Sequence, residues 1–293
     1  MNSKFKKIWQ EALNDKKLPS KFSGVFEIDY NEFKNLKDNF DQKKAENLVK
    51  EFMSGKILIV KEAFEKSFVK EIKDKIKVYW KNNPDTFHKM IEGCPDFHRI
   101  ITPEKAKNYA LGAVRHTTYF FNWNNDPCNF NERIYERWRY AKYISGLQQN
   151  KYENNTPKDG SVDRIQIVCY PPKYGGVETH KDTTSNSPLA ISCYLSSKKD
   201  NDFKSGGFYC LDHLNKKINL EKNIEAGDMS LYISNLQHGV EPIDKDSKIK
   251  DYDWNSGIGR WWMGLFTNDS NLKNNRSTSI SLSKFHSETL VDK

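Results

Sequence analysis

From about residue 162 onward the chain is punctuated too often for long helices. Asp163–Tyr170, Leu189–Leu195, Gly206–Leu211, Asp228–Ile233 and Arg260–Phe266 are short runs rich in β-branched and aromatic residues, and Gly, Pro, Asn and Asp fill the stretches between them. Runs of that length bounded by turn residues read as β-strands. A succession of them reads as an all-β sandwich or jelly roll.

The preceding part has a different period. Lys56–Val60 reads as a short buried strand, and Lys61–Trp80 follows with Phe64, Phe68, Ile72, Ile76 and Trp80 at helical spacing. Asp41–Met53 and Asn131–Gln148 carry further helical patterns, while residues 84–130 are aromatic and irregular. No internal repeat or low-complexity linker divides the chain. The expected fold class is therefore α+β: a jelly-roll core with N-terminal helices packed on it. Residues 1–293 are expected to form a single domain, with 1–160 a mainly helical support, 161–268 the β core, and 269–293 a Ser/Asn/Lys-rich tail forming an extended appendage.

Several classes are disfavoured. No apolar run approaches the roughly 18–20 residues of a membrane span, and the opening Met-Asn-Ser-Lys-Phe-Lys-Lys has no apolar signal-peptide core. The cysteines Cys94, Cys128, Cys169, Cys193 and Cys210 are scattered without a CxxC pair. That argues against a zinc ribbon or disulfide framework and for a reduced, cytoplasmic setting. The formal charge is +8, but many of the lysines alternate with Asp and Glu along the early helical patterns, as solvated helix faces do. The excess suits attraction of an anionic small molecule. No arginine-rich patch or RNA-binding motif points to nucleic acid. Oligomeric state is left open.

Chemistry concentrates in two places. In Val177-Glu178-Thr179-His180-Lys181-Asp182, the histidine and the aspartate are two residues apart. On a strand they would point to the same face. A third ligand, His238, stands in Leu236-Gln237-His238-Gly239-Val240, just after the Asp228–Ile233 run. Two imidazoles and one carboxylate leave three positions open on a metal, the set that suits non-haem Fe(II) and oxygen chemistry. Taken singly, these are a turn histidine, a surface acid and a core histidine; their order and strand context together make the metal site. His213 also forms an acid–His pair with Asp212, but it lies outside this order and reads as a surface residue; His88, His98, His116 and His286 have no motif context. The run Arg115-His116-Thr117-Thr118-Tyr119 reads either as a pocket lining or as a packed strand.

The segment from Arg164 to Phe266 resembles the catalytic core of the Fe(II)/2-oxoglutarate-dependent oxygenases. Cys169-Tyr170-Pro171, Tyr194-Leu195 and Ser205-Gly206-Gly207 are similar to the prolyl-hydroxylase-like branch. The resemblance implies a double-stranded β-helix, with His180, Asp182 and His238 as ligands of Fe(II). It also implies 2-oxoglutarate as cosubstrate and O2 as oxidant. The far carboxylate of the cosubstrate needs a cationic partner, and Arg260 in Gly259-Arg260-Trp261-Trp262 is the candidate. Arg260 lies farther past the distal histidine than is usual in the family, and residues 244–258 read as an inserted loop and a candidate lid. Trp262 stands where many members carry a serine. Tyr194 and Tyr170 match tyrosines that contact the cosubstrate. Gln166 and Arg164 share the strand face of Tyr170 by alternation and are expected beside it. The implied activity is oxidation of an unactivated C–H bond in a small, amino-acid-derived and anionic metabolite, by hydroxylation, desaturation or cyclisation, with release of succinate and CO2. A protein prolyl or side-chain hydroxylase is the alternative. A non-catalytic jelly-roll binding protein is disfavoured, since it needs neither the triad nor Arg260.

Overall fold

The computed structural model describes residues 3–14 and 17–282; His286 and the rest of the expected tail beyond 282 lie outside them. The described strands form one continuous hydrogen-bonded path that folds into two facing sheets. The larger sheet runs β1 (Gly24–Asp29), β2 (Lys56–Lys61), β10 (Met229–Ile233), β7 (Leu189–Tyr194), β12 (Arg260–Asp269), β5 (Ser161–Tyr170) and β4 (Ala113–Phe120), with β3 (Phe97–Ile101) paired to β4. The smaller sheet runs β6 (Gly176–Lys181), β11 (His238–Glu241), β8 (Gly207–Leu211) and β9 (Lys217–Asn219), with β13 (Ile280–Ser281) on the free side of β6. β4 belongs to both: His116–Phe120 pair with β5, and Ala113 and Val114 pair with β6.

All five expected core runs form strands, and Lys56–Lys61 forms β2. Helix α4 (Lys66–Asn82) buries Phe68, Val69, Ile72, Ile76 and Trp80, one stripe at helical spacing. Helix α3 (Gln42–Met53) buries Ala45, Leu48, Val49 and Phe52, and its N-cap Asp41 accepts the Lys44 N–H at 2.8 Å. Helix α6 is Asn131–Ile144. These stripes share one core with Ile165, Ile167, Cys169, Trp261, Met263 and Leu265, the helix-facing residues of β5 and β12. The N-terminal part is more than a helical support, because it contributes β1 to β4 to the sheet. β3 and β4 lie in the stretch read as irregular; their pairing to each other and to β5 is long-range, and no local turn signal announces it.

Alternation on β5 and β12 divides helix-facing from cavity-facing side chains. Arg164, Gln166 and Tyr170, with Arg260, Trp262 and Phe266, face the space between the sheets. Gly264 sits between Trp262 and Phe266 on that face. A Cβ there would lie 2.4 Å from the Trp262 ring and 2.3 Å from the Phe266 ring, so the glycine lets the two rings close over it. Trp80, at the end of α4, stacks on His116 at 3.6 Å and on Trp261 at 5.0 Å, and its indole N–H donates to Thr118 at 2.7 Å. His116 thus packs on the helix side of β4, while Arg115 reaches the cavity. None of the described helices is long and apolar enough to cross a membrane.

Candidate metal centre and active-site cavity

β6 and β11 pair antiparallel with His180 opposite His238, and Asp182 follows directly after β6. The Asp182 N–H donates to the Ser234 carbonyl at 2.9 Å, which holds the carboxylate beside the two rings. Ligand atoms of His180, Asp182 and His238 all lie within 4.8 Å of one another, the one such group found among the described residues. His180 Nε2 is 3.8 Å from one Asp182 oxygen, and His238 Nε2 is 3.6 Å from the other.

The protonation pattern follows from the backbone. Nδ1 of His180 is 2.8 Å from the Glu178 carbonyl oxygen, and Nδ1 of His238 is 2.8 Å from that of Leu236. A carbonyl only accepts, so each Nδ1 donates and each Nε2 is the ring nitrogen turned toward Asp182. Burial, reinforced by the neighbouring His238, pushes the His180 pKa down to about 4, which keeps that ring neutral. Ser279 Oγ donates to Asp182 Oδ1 at 2.7 Å. Ser279 comes from the expected tail, which among the described residues is no free appendage. It runs back along β6, with Ile280 opposite Lys181 and the Leu282 N–H bonded to the Thr179 carbonyl at 2.9 Å.

The triad opens onto a cavity of about 120 Å³ whose wall includes Gln166, Tyr170, Ser192, Tyr232 and Arg260. Arg260 is 1% exposed. Its Nε donates to Glu221 Oε1 at 2.7 Å. Glu221 also accepts the Phe208 N–H at 2.6 Å. Gly207 makes room for it. Its φ is +103°, and a Cβ there would lie 2.4 Å from Glu221 Oε1. Arg260 Nη1 remains buried with no hydrogen-bond partner. An orphaned guanidinium nitrogen on the wall of a cavity that also holds the triad fits the far carboxylate of a dicarboxylate ligand. The three donors, with their open side toward the same cavity, fit a non-haem Fe(II).

Arg164, Gln166 and Tyr170 all reach the cavity wall, as alternation predicts. Tyr194 does not. Its hydroxyl is bonded to Ser230 at 2.8 Å and it packs beneath Arg260, with the guanidinium carbon 5.9 Å from its ring. Tyr232 lines the wall instead, its hydroxyl 3.4 Å from Ser192 and 3.5 Å from His238 Nε2. Alternation applied to β10 would have found it. The 244–258 loop is no lid over this cavity. Tyr252 lies against Cys169, the Trp254 carbonyl accepts from His116, and the Gly257 carbonyl accepts from the Trp261 indole, all on the helix side of the sheet. Glu221 and Ser279 each sit in a polar stretch of the sequence that carries no motif.

A second chamber of about 320 Å³ shares Asp182, Arg115, Arg164 and Ser279 with the first and is walled further by Arg99, Thr278 and Arg276.

No family model and no curated protein matches this sequence. Solved structures do match in fold. A full-length Neurospora crassa protein, solved in complex with alpha-KG and thymine, aligns over 96% of this chain and 98% of its own at 11% identity, with a TM-score of 0.50. A Pseudomonas putida prolyl-4-hydroxylase aligns over 76% and 98% at 12% identity, with a TM-score of 0.48. A Trichoplax adhaerens prolyl hydroxylase, in complex with a hypoxia inducible factor peptide fragment, aligns over 79% and 96% at 14% identity, with a TM-score of 0.45. What this chain has in common with the thymine-bound Neurospora structure is the fold, a double-stranded β-helix with helices on the outer face of its larger sheet.

Proposed function

We propose that this protein is an Fe(II)/2-oxoglutarate-dependent oxygenase acting on a small anionic molecule. The observation that carries the reading is one cavity bearing two kinds of site. One is a His-Asp-His triad with its donor atoms within 4.8 Å of one another. The other is a buried guanidinium, Arg260, with a free donor. Fe(II) and 2-oxoglutarate, when bound, would use O2 to oxidise a C–H bond and release succinate and CO2.

The chain's own contribution is holding and placing. His180 and His238 are each oriented by a backbone carbonyl that accepts from Nδ1, which leaves Nε2 as the nitrogen presented to a metal. Ser279 and the Ser234 carbonyl orient the Asp182 carboxylate. Arg260, steadied by Glu221, offers its free guanidinium nitrogen to the cosubstrate. Tyr170, Trp262 and Phe208 close the cavity with apolar surface and keep water from the reacting atoms. The second chamber lies within the size range of small-molecule sites, which favours a metabolite over a protein side chain.

The test is metal analysis together with succinate release. Wild-type protein should bind one Fe(II) per chain and form succinate from 2-oxoglutarate, and His180→Ala and His238→Ala should each lose both. Full iron affinity in both variants would remove the site. A response to peptides but not to metabolites would shift the reading to a protein hydroxylase.

A further inference from the structure

The arginines of this chain fall into two sets. Arg133, Arg137, Arg139 and Arg260 each form an ion pair with a glutamate. Arg99, Arg115, Arg164 and Arg276 all lie on the wall of the second chamber. Among the described residues, the one carboxylate on that wall is Asp182, which belongs to the metal centre; Lys142, also there, is committed to Asp163. The Nε atoms of Arg99, Arg115 and Arg164 are buried without a hydrogen-bond partner. Arg276 places its Nε on the Asp269 carbonyl oxygen, leaving the end of its guanidinium free.

The groups converge. Arg99 Nη2 donates to the Tyr119 hydroxyl at 2.8 Å, and the Arg99 and Arg164 guanidinium carbons lie 5.1 and 4.9 Å from the Tyr119 ring. Burial works to raise the Tyr119 hydroxyl pKa, yet the Arg99, Arg115 and Arg164 charges hold it below its usual range. Burial, with Arg99, Arg115 and Arg276 nearby, lowers the Arg164 pKa to about 10. Like charges gathered in one half-buried wall repel each other, and so call for an anion to offset them.

We propose that this wall seats a doubly charged, phosphate-like group of the substrate, which makes the substrate a small phosphomonoester. One carboxylate is satisfied by a single bidentate guanidinium. A phosphate monoester brings close to two charges and three acceptor oxygens, enough for several arginine forks. Because Arg115, Arg164, Asp182 and Ser279 border both chambers, a substrate anchored here by its phosphate extends toward the triad. The proposal rests on the oxygenase reading for what happens to the substrate, but the anion seat itself does not depend on a metal.

Two experiments separate these levels. Calorimetric titration of metal-free protein with inorganic phosphate should show binding that weakens roughly ten- to hundredfold in Arg99→Gln and in Arg276→Gln. Arg133→Gln, on the outer helix, should match wild type. Arg276 is exposed, so its variant does not threaten the fold. The second experiment measures succinate release with Fe(II) and 2-oxoglutarate against phosphomonoesters, their dephosphorylated counterparts and dicarboxylates. Stimulation by phosphomonoesters and not by their counterparts is expected. No phosphate binding by wild type, unchanged affinity in both arginine variants, or stimulation by dicarboxylates alone would each overturn the proposal. Arginine-dependent phosphate binding with no succinate formed under any condition would keep the anion seat and sink the oxygenase reading.

Discussion

Glu221 and Arg260 form a buried ion pair, and breaking it from either side has a calculable consequence. The side chains are 0% and 1% exposed, and Nε and Oε1 are 2.7 Å apart. Glu221→Gln leaves a buried guanidinium without a counter-charge. Arg260→Met leaves a buried carboxylate supported only by the Phe208 N–H. Removing one partner of such a pair costs roughly 3–5 kcal/mol. With a urea m-value of roughly 3 kcal/mol/M for a chain of this size, the unfolding midpoint should fall by about 1 M or more in each single variant. The double variant Arg260→Met/Glu221→Leu removes both charges and fills the space with apolar atoms, so it should be more stable than either single variant. Urea unfolding at pH 7, followed by tryptophan fluorescence and circular dichroism, measures all four proteins. Single-variant losses under about 1 kcal/mol, or a double variant whose loss equals the sum of the singles, would refute the reasoning.

Ser279→Ala removes the hydroxyl that orients Asp182, and Fe(II) affinity measured by competition with a chelator should drop roughly tenfold or more. Asp269 is held by Lys273, Asn186, Ser161 and the Ser277 N–H; burial works to raise its pKa, and these partners overcome it and hold it well below the usual carboxylate range. A depressed carboxylate contributes stability above its unfolded pKa and loses it as pH falls through the folded one. Asp269→Asn should therefore be clearly less stable than wild type at neutral pH, with the gap in unfolding free energy narrowing below about pH 4; a constant gap would count against the reasoning. Replacing 244–258 by a short Gly-Ser link removes the carbonyl acceptors of buried His116 and of Trp261, and should cost roughly 1–3 kcal/mol for each acceptor lost. The ratio of succinate to oxidised product should stay unchanged, and a rise in that ratio would restore the lid.

How much could be read beforehand depended on range. The triad was legible because His180 and Asp182 follow from a two-residue rule and His238 from a strand end, and the fold closes the remaining distance through β6–β11 pairing. Alternation along β5 put Arg164 and Gln166 on the face of Tyr170, and all three border the cavity, as does Arg260, which the resemblance singled out. Tyr194, expected from the resemblance, misses the wall because its hydroxyl is taken by Ser230 and the Arg260 guanidinium lies over its ring. Glu221, Ser279, Arg99 and Arg276 lie outside the motif-bearing strands and meet the site only through tertiary contacts. The placement of 244–258 turned on Trp80, His116 and Trp261, whose stacking draws the loop to the helix side.

The strand that carries Ser279 to Asp182 is thinly attached. β13 is two residues long, and its Ile280 is largely exposed. Hydroxyl contacts such as Thr183 with Ser277 and Ser281 with Glu178 supply much of its attachment. Segments with few buried contacts open at a small fraction of the global unfolding free energy. On warming or in mild denaturant, this edge can peel from β6 and take Ser279 and Arg276 with it while the helix-backed sheet stays folded. Catalysis and anion binding would then have their own transition, below the melting of the fold, and amide exchange at Leu282 would track it. An oxygenase activity at this site would then fail first where a handful of half-buried hydroxyls hold the edge, and those can change without altering the core.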